Sequence, residues 1–502
     1  MQPMISTFVM VIFGATGDLT ARKLMPALYS LLEQGILPDR FFVVGVARRE
    51  FTHESFRELM KETVIKELRS KNLELRIWEK LKKNLYYQQG FFEDKEPYEK
   101  LVDLLSSFDK EIAACITRFF YLATPPQNYS QILKHLSSSK LSEGCGQGSS
   151  KWTRVLIEKP FGKDQETARM LEEQLASTFE DRQIYRIDHY LAKETIQNIL
   201  AFRFANRFVE DIWNNKHIDN VQITLFEAGG IGNRGKFYEG VGALRDAVQN
   251  HLMAMLSYTT MEEPASFTAS DIRWERVKVL SKLRCIEKEE VKNLVVRGQY
   301  GAGMVGGRQV AGYREEKDVA FDSLTETYVA LKLFIDNDCW SGVPFYLRTG
   351  KRMSKSAVQI DVQFKNPQSK LYREFKLTSD EHANVLTIRV QPKEGISLKF
   401  FAKAPGLTYN LSPVNMDFSY LTSFKRDITD SYEKLLIDAM VGDQTLFATS
   451  AGFGHTWEFV TKILKGWEKQ PPPKFPNYEA GSAGPKEADE LIERDGRRWL
   501  LH

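Results

Sequence analysis

The first 50 residues contain the pattern that most limits how this chain can fold. A continuous apolar run at 8–13 predicts a strand buried on both faces, and the turn GATGDL, from Gly14 to Leu19, follows it directly. An amphipathic helix comes next and ends near Gly35, and a second apolar run at 41–46 completes a strand–turn–helix–strand unit. This unit is typical of a doubly wound parallel sheet. Further strands of the same sheet are predicted at 118–123 and 154–157.

The second part of the chain has a different pattern. Alternating or apolar segments predict a large, mostly antiparallel sheet, which helices near 241–260 and 430–450 would cover on one face. The predicted strands are 221–226, 328–335, 343–348, 358–364, 385–390 and 396–401. The tail 469–486 is rich in Pro, Gly and Ser and is predicted to wrap the surface. We therefore predict a Rossmann-type α/β domain over 1–189 and an α+β domain over 190–502.

Composition limits the classes of partner. The 502 residues include 69 basic and 66 acidic side chains, a net charge of +3 that is too balanced to predict a nucleic-acid or membrane partner. No apolar run approaches the roughly 18 residues of a membrane span, and because Met1–Phe13 lacks a basic n-region this segment is not expected to be a signal peptide. The four cysteines lie far apart without a CxxC motif, which predicts free thiols and a cytoplasmic setting.

The Gly14–Leu19 turn is a candidate cofactor site. Glycines let the backbone approach a pyrophosphate, and the helix that follows offers N–H donors at its start. The motif GxxGDL alone is weak evidence for a dinucleotide site. Its position after the first strand favours dinucleotide binding over a plain tight turn. At the end of the second strand Arg48 and Arg49 stand where NAD enzymes carry an acid. They predict NADP, with Arg48 as the main contact to the 2′-phosphate and NAD as a weaker alternative; two solvated surface arginines are the other interpretation.

The segment YRIDHYLAKE, 185–194, places Asp188, His189, Lys193 and Glu194 within seven residues. A helix that begins near Tyr190 would present Tyr190 and Lys193 on one side, with His189 at its entry. Such a set of donors suits a phosphate group. The alternative is a solvated helix start with an ordinary ion pair.

Two other segments carry candidate site residues. Lys159 ends a predicted strand in the sequence IEKPFG, at the edge where parallel sheets bind ligands; a cis peptide bond before Pro160 would fix the angle of Lys159, and an ordinary strand-ending turn is the alternative. His251 lies on an apolar helical stripe and is either a core histidine or a general base. As a base it would need a carboxylate on its second nitrogen, for which Asp188 is the candidate, while Asp246 would face a substrate hydroxyl.

Together these motifs resemble the glucose-6-phosphate dehydrogenase family, particularly its bacterial members. The matching segments occur in the family's order and extend over nearly the whole chain: GATGDLTARKLMPALY, VGVAR, YLATPPQNY, IEKPFG, RIDHYLAKE, FRFANR, GALRDAVQNHL, GVPFYLRTGKR and YEAGSAGPKEADELIERDGRRW. The run RIDHYLxKE is highly specific to this family. The resemblance implies a dinucleotide-binding domain followed by an α+β domain that carries the dimer interface, so a homodimer or homotetramer is expected.

The resemblance also implies a reaction and a set of residue roles. D-glucose 6-phosphate would be oxidised at C1 to 6-phospho-D-glucono-1,5-lactone, with hydride transfer to NADP, as the first step of the oxidative pentose phosphate pathway. His251 is implied as general base with Asp188 as its partner, and no metal is expected. The residues implied for the substrate are Lys159, His189, Tyr190, Lys193, Glu227, Asp246 and Lys351. Those implied for the cofactor are Gly14, Thr16, Gly17, Asp18, Leu19, Lys23, Arg48, Tyr129 and Lys159.

Two other functions are alternatives to this one. A sugar or polyol oxidoreductase with an unphosphorylated substrate is disfavoured by the predicted phosphate site at 189–193. An inactive, NADP-binding regulatory protein would be expected to lack Asp188, His251 or Lys159, and all three are present. One position departs from the family: five residues after Lys351, where a basic residue is common, this chain has Ser356, with Lys355 one position earlier. Substrate binding is expected to be weaker unless Lys355 substitutes.

Overall fold

The computed structural model describes residues 5–68, 72–145, 153–370, 372, 384–424 and 429–501. These residues form two compact units. The first unit runs from the N-terminal part to Ala192 and also contains Thr268–Arg273 and Thr429–Ser450, and the second unit contains the remainder. Two later segments of the chain therefore belong to the first unit.

The first unit is built on a six-stranded parallel sheet. Its strands are β1 (Phe8–Phe13), β2 (Phe42–Ala47), β3 (Leu85–Gln89), β4 (Thr117–Leu122), β5 (Arg154–Glu158) and β6 (Ile184–Ile187). They lie in the order β3-β2-β1-β4-β5-β6, and each neighbouring pair is parallel. All residues of β1 and β2 are buried, which explains their unbroken apolar runs. The predicted doubly wound topology is confirmed.

Helices alternate with these strands, as the sequence predicts. They are Thr20–Leu24 (a π-helix), Met25–Glu33, His53–Glu67, Leu75–Lys83, Glu96–Ile112, Pro126–Asn128 (a 3-10 helix), Tyr129–Ser138, Gln165–Thr178, Asp181–Gln183 (a 3-10 helix) and Ser431–Val441. The helix His53–Glu67 begins with a reciprocal cap, in which the Thr52 hydroxyl accepts the N–H of Ser55 and the Ser55 hydroxyl accepts the N–H of Thr52.

One prediction for the first unit is wrong, because Cys115 and Cys145 form a disulfide across 30 residues. Cys115 precedes β4, and Cys145 follows the helix Tyr129–Ser138 and lies beside Ile116. The two cysteines meet because the chain after the helix Tyr129–Ser138 returns to the start of β4. Their spacing in the sequence does not reveal this return. Cys285 and Cys339 are free thiols, as predicted.

The second unit contains an eight-stranded sheet. Its strands are β7 (Ile218–Glu227), β8 (Val295–Gly298), β9 (Tyr328–Leu333), β10 (Phe345–Lys351), β11 (Ala357–Phe364), β12 (Val385–Gln391), β13 (Gly395–Lys403) and β14 (Leu411–Ser419). Their order is β14-β13-β12-β11-β7-β10-β9-β8, and only the pair β7–β10 is parallel. The predicted large, mostly antiparallel sheet is confirmed. Strands β8 and β14 were not predicted, since β8 has four residues and β14 is largely exposed.

The remaining elements of the second unit are helices and two small strand pairs. Its helices are Glu194–Phe204, Arg207–Glu210, Gly232–Arg234 (3-10), Gly235–Tyr238, Leu244–Leu252 (π), Met253–Thr260, Val291–Leu294, Tyr313–Glu315 (3-10), Tyr420–Phe424 and Lys486–Glu493, while Ala269–Leu280 and Ser450–Trp467 contain residues of both units. Two small strand pairs join Gly303–Val305 with Arg308–Val310 and Tyr300–Gly301 with Tyr478–Glu479. Among the helices of the described ranges, none has the length and apolarity that a membrane crossing requires.

The tail does more than wrap the surface. Tyr478 is buried in an aromatic cluster that includes Tyr300 and Tyr328. Its hydroxyl donates to the carbonyl oxygen of Lys351 at 2.9 Å, and the Gly481 N–H donates to the carbonyl oxygen of Arg352 at 2.6 Å. Most of the segment lies at the surface as predicted, but its Pro- and Gly-rich composition does not show that its one tyrosine fills a core position.

Candidate active site

The Gly14–Leu19 turn lies at the carboxyl end of β1, between the ends of β2 and β4. Gly14 has a φ of 89°, and a Cβ at this position would lie 2.4 Å from the carbonyl oxygen of Ala123, so only glycine fits. The Gly14 N–H donates to the Val46 carbonyl at 2.8 Å, and the Gly17 N–H donates to the Gly14 carbonyl at 2.9 Å. The following helix thus starts at the sheet edge, where its first N–H groups suit a phosphate.

The helix after the turn begins in a π conformation. The Met25 N–H donates to the Thr20 carbonyl, five residues earlier. Within this stretch Lys23 Nζ lies 3.5 Å from Asp430 Oδ2 and 5.9 Å from the ring centroid of Tyr432. The first unit therefore places Lys23 beside a segment that lies some 400 positions later in the sequence, and nothing in the sequence pattern indicated that neighbour.

Arg48 and Arg49 follow β2 at the same edge of the sheet, and both are exposed. The backbone beneath them is held in place, because the Gln89 side chain donates to the Arg48 carbonyl at 3.1 Å and the Tyr87 hydroxyl donates to the Ala47 carbonyl at 3.0 Å. Neither guanidinium has an ion-pair partner in the part of the chain that the structure describes. Two unneutralised arginines at this position suit a phosphate ester.

The end of β5 holds a partly buried acid, Glu158, that the sequence patterns do not single out. The Tyr121 hydroxyl donates to Glu158 Oε1 at 2.6 Å, and the Tyr129 hydroxyl donates to the Glu158 carbonyl at 2.9 Å. Burial raises the pKa of Glu158 to about 7, although hydrogen bonds from Tyr121 and Tyr432 and the charge of Lys159 act in the opposite direction. The peptide bond from Lys159 to Pro160 is cis, as anticipated.

The raised pKa of Glu158 predicts a pH dependence of stability. Between the ordinary value of 4.5 and about 7, the folded protein holds a proton that the unfolded chain has released, so this group's stabilisation is complete at low pH and is lost as the pH rises through 7. We expect E158Q to remove this contribution. In urea unfolding at a series of pH values, the free energy of unfolding of the wild type should fall by up to about 3 kcal/mol relative to that of E158Q between about pH 5 and 8. Parallel pH profiles for the two proteins would contradict the assignment.

Asp188 shapes the chain after β6. Its Oδ1 accepts the N–H of Tyr190 at 3.0 Å, and its carbonyl accepts the N–H of Leu191 at 3.0 Å. This Asx-type turn occupies the position where the sequence predicted the helix start, and the helix begins only at Glu194. The prediction of a helix from Tyr190 is therefore wrong, because the Asp188 side chain satisfies a backbone donor locally.

Two of the candidate phosphate residues, His189 and Tyr190, belong to the first unit, and the third, Lys193, begins the second unit. In the first unit the His189 ring lies 4.7 Å from the Tyr190 ring and 6.2 Å from the Tyr432 ring, both measured between centroids. In the second unit Lys193 is the residue before the helix Glu194–Phe204, and its carbonyl accepts the N–H groups of the first helical turn. Its ammonium has no ion-pair partner among the residues described.

Three predicted sugar contacts meet in the second unit. Glu227 and Lys351 end the adjacent parallel strands β7 and β10, in register with each other. Lys351 Nζ donates a hydrogen bond to Glu227 and lies 3.3 Å from Asp246 Oδ2. Burial would lower the pKa of Lys351, but the carboxylates of Asp246 and Glu227 outweigh burial and raise it. Lys351 therefore stays charged between two acids, an arrangement that offers both donors and acceptors to hydroxyl groups.

Ser356 occupies the position at which a basic residue is common in the family. Its hydroxyl accepts the N–H of Ala228 at 2.9 Å and so supports the chain just after Glu227. Lys355 is exposed. The positive charge that follows Lys351 in this chain is therefore carried by Lys355, and Ser356 has a backbone-supporting contact instead.

His251 is buried on the π-helix Leu244–Leu252, five residues after Asp246. In an α-helix, side chains five positions apart diverge by about 140°. A π-helix bonds residue i to residue i+5, as the Met253 N–H does with the Val248 carbonyl, and so brings such side chains closer to one side. Apolar periodicity predicted this helix correctly but does not distinguish π from α geometry.

Two family models match the chain: "Glucose-6-phosphate dehydrogenase, NAD binding domain" over residues 11–198 and "Glucose-6-phosphate dehydrogenase, C-terminal domain" over residues 200–500. Glucose-6-phosphate 1-dehydrogenase of Chlamydia pneumoniae is 46% identical over 492 residues, which are 98% of this chain and 95% of that protein. The enzyme of the same name from Borreliella burgdorferi is 42% identical over 492 residues, 98% of each chain.

Solved structures give the same result. A glucose-6-phosphate dehydrogenase in complex with its substrate glucose-6-phosphate matches with a TM-score of 0.88 and 32% identity, over 99% of this chain and 100% of that one. Glucose-6-phosphate 1-dehydrogenase from Mycobacterium avium matches with a TM-score of 0.84 and 30% identity, over 99% of each chain. The predicted resemblance is confirmed, and this chain belongs to the glucose-6-phosphate dehydrogenase family.

Proposed function

We propose that this protein oxidises D-glucose 6-phosphate at C1 to 6-phospho-D-glucono-1,5-lactone, with NADP as the hydride acceptor. Besides family membership, the observation that carries the proposal is the cluster of Lys351, Glu227 and Asp246, which groups a charged donor with two acceptors. Carbon-13 NMR of C1-labelled glucose 6-phosphate, incubated with protein and NADP, tests it. Conversion of the hemiacetal signal to lactone and then acid is expected, and an unchanged signal contradicts the proposal.

The chemistry requires few groups. Oxidation of the hemiacetal removes one proton from the C1 hydroxyl and one hydride from C1, so one base and one acceptor suffice. We assign the base to His251, with Asp188 as the carboxylate that orients the imidazole and stabilises its protonated form. Glu227, Asp246 and Lys351 are assigned to the sugar hydroxyls. When bound, the nicotinamide ring supplies the hydride acceptor.

The 6-phosphate is assigned to His189, Tyr190 and Lys193. A phosphate is recognised by several donors and at least one fixed positive charge, which this set provides. Because the phosphate is remote from C1, its binding energy serves to orient the reacting carbon rather than to act on it. Lys159 is assigned to both the sugar and the nicotinamide, since it directly follows β5 at the ligand-binding edge of the parallel sheet.

The first unit fits a dinucleotide. Gly14 lets the turn pack closely against the Ala123 carbonyl, and Thr16, Gly17, Asp18 and Leu19 continue the turn into the helix start. Lys23, Tyr129 and Lys159 complete the proposed cofactor contacts, and Arg48 is assigned to the 2′-phosphate. The exposed, unpartnered Arg48 guanidinium supports NADP over NAD.

Replacing Arg48 tests the NADP assignment. We expect R48A to lower kcat/KM for NADP roughly 10- to 100-fold, because it removes a charge-assisted contact to the 2′-phosphate. The value for NAD, which lacks that phosphate, should change little. R49A is the matched control and is expected to have a smaller effect. Equal losses with NADP and NAD would show that Arg48 supports the fold or the site in some other way.

We also propose a cytoplasmic homodimer or homotetramer. Strand β14 lies at the edge of the sheet in the second unit, and its Val414 and Met416 side chains are exposed. Edge strands with exposed apolar side chains favour pairing with another surface. This feature supports association through the second unit.

A further inference from the structure

Glu326 is a buried acid that none of the proposed roles uses. Only 6% of its surface is exposed, and its Oε1 accepts the N–H of Leu244 at 3.0 Å. Its carbonyl oxygen accepts the N–H of Ala243, also at 3.0 Å. These donors stand at the start of the π-helix Leu244–Leu252, where N–H groups have no partner within the helix. A residue 82 positions away therefore fixes the start of this helix.

The chain before the helix is shaped to admit this carboxylate. Gly242 has a φ of 70°, and a Cβ at this position would lie 2.3 Å from Glu326 Oε1. Any other residue would displace the acid from Leu244. Burial raises the pKa of Glu326, while the Leu244 N–H and the charges of Arg245 and Arg297 act in the opposite direction. Burying an acid is costly unless it is hydrogen-bonded, and here the partner is the helix start.

The residue after Glu326, Thr327, holds the backbone of Lys351. The Thr327 carbonyl accepts the N–H of Lys351 at 3.0 Å. Thr327 Oγ1 also lies 2.8 Å from the hydroxyl of Tyr478, which donates to the Lys351 carbonyl at 2.9 Å. Two consecutive residues thus connect the start of the π-helix to the strand end that presents Lys351.

We propose that Glu326 is a positioning residue for the oxidation at C1. By holding the helix start, it sets where Asp246 and His251 stand relative to Lys351. The inference rests on the roles proposed above for these three residues. A shift of the helix start would move Asp246 and His251 together, and a misplacement of about 1 Å can cost roughly 100-fold in rate.

Two substitutions at Glu326 separate the hydrogen bond from the charge. Gln keeps an oxygen that can accept the Leu244 N–H, and Ala removes it. We expect E326A to lower kcat for glucose 6-phosphate roughly 10- to 100-fold, with KM for NADP within about twofold of wild type. E326Q should recover most of this loss. A kcat of E326A equal to that of wild type, or an E326Q loss as large as that of E326A, would overturn the proposal.

Asp361 in β11 provides the matched control. It is a buried carboxylate of the second unit that accepts hydrogen bonds from Thr387 at 2.6 Å and Gln359 at 2.7 Å. D361A is expected to lower the unfolding midpoint without changing kcat of the folded enzyme. An equal kcat loss in D361A and E326A, at equal folded fraction, would reduce Glu326 to a general stabilising role and overturn the proposal.

Two further measurements keep the outcomes distinct. If E326A does not fold, E326D tests the same contact, because its side chain is one methylene shorter and withdraws the carboxylate from the Leu244 N–H, and a kcat loss is again expected. Hydrogen exchange of the Leu244 amide, faster in E326A than in D361A, tests the contact without turnover. A wild-type protein that is inactive on glucose 6-phosphate would count against the proposed function, whereas unchanged exchange at Leu244 would count against the contact itself.

Discussion

Replacing His251 by Asn is expected to lower kcat for glucose 6-phosphate oxidation roughly 1,000- to 10,000-fold and to leave the dissociation constant of the substrate nearly unchanged. A general base accepts the proton in the transition state, so its loss raises the activation barrier without weakening the ground-state complex. Asn has two fewer side-chain heavy atoms than His but keeps a polar group at this buried position, so we expect the π-helix to form in the variant. Steady-state kinetics and substrate titration by calorimetry measure the two quantities.

His217 supplies the control for this substitution. It lies in the same unit and is exposed at the entry to β7. H217N makes the same chemical change away from the proposed site, and its kcat should equal that of wild type. A loss of substrate affinity in H251N as large as the loss of kcat would remove His251 from the role of base and assign it to binding.

Replacing Lys193 by Ala is expected to raise KM for glucose 6-phosphate roughly 30- to 200-fold with a much smaller change in kcat. Lys193 precedes a helix, is partly exposed and carries a charge that no acid neutralises within the described residues. Its contact with a phosphate would be charge-assisted and would be made equally in the ground state and the transition state. Initial rates over a range of substrate concentrations test this prediction.

Glucose makes the Lys193 experiment specific. Because glucose lacks the phosphate, kcat/KM for glucose should be the same in K193A and in wild type. The ratio of the two substrates' kcat/KM values should therefore fall in K193A by the full factor seen with glucose 6-phosphate. An unchanged KM for glucose 6-phosphate, or an equal loss with both substrates, would remove Lys193 from the phosphate site.

The sheets were predictable because their strands carry a clear pattern. Strands β1 and β2 are buried on both faces, and such strands leave unbroken apolar runs in the sequence. Strand β14 left no comparable pattern because most of its residues are exposed. The family was predictable for another reason, since its motifs are local strings that a reader can match without knowing which strands pair.

The candidate site was predictable as a set of residues but not as an arrangement. Periodicity shows that His251 is helical, whereas the π geometry that brings Asp246 towards its side depends on hydrogen bonds that no period reveals. The Asx turn at Asp188 depends on one side chain outcompeting a helix start. Glu158 and Glu326 were missed because their partners, Tyr432 and Leu244, are distant in sequence.

The central claim is tested most directly by the absorbance of reduced nicotinamide formed by the purified protein. Glucose 6-phosphate and glucose are each supplied with NADP and with NAD, and H251N is assayed in parallel. Rapid reduction with glucose 6-phosphate, faster with NADP than with NAD, and far slower with glucose or with H251N, is the predicted result. Folded wild-type protein that binds NADP but reduces it with neither sugar would contradict the account and favour an NADP-binding protein without dehydrogenase activity.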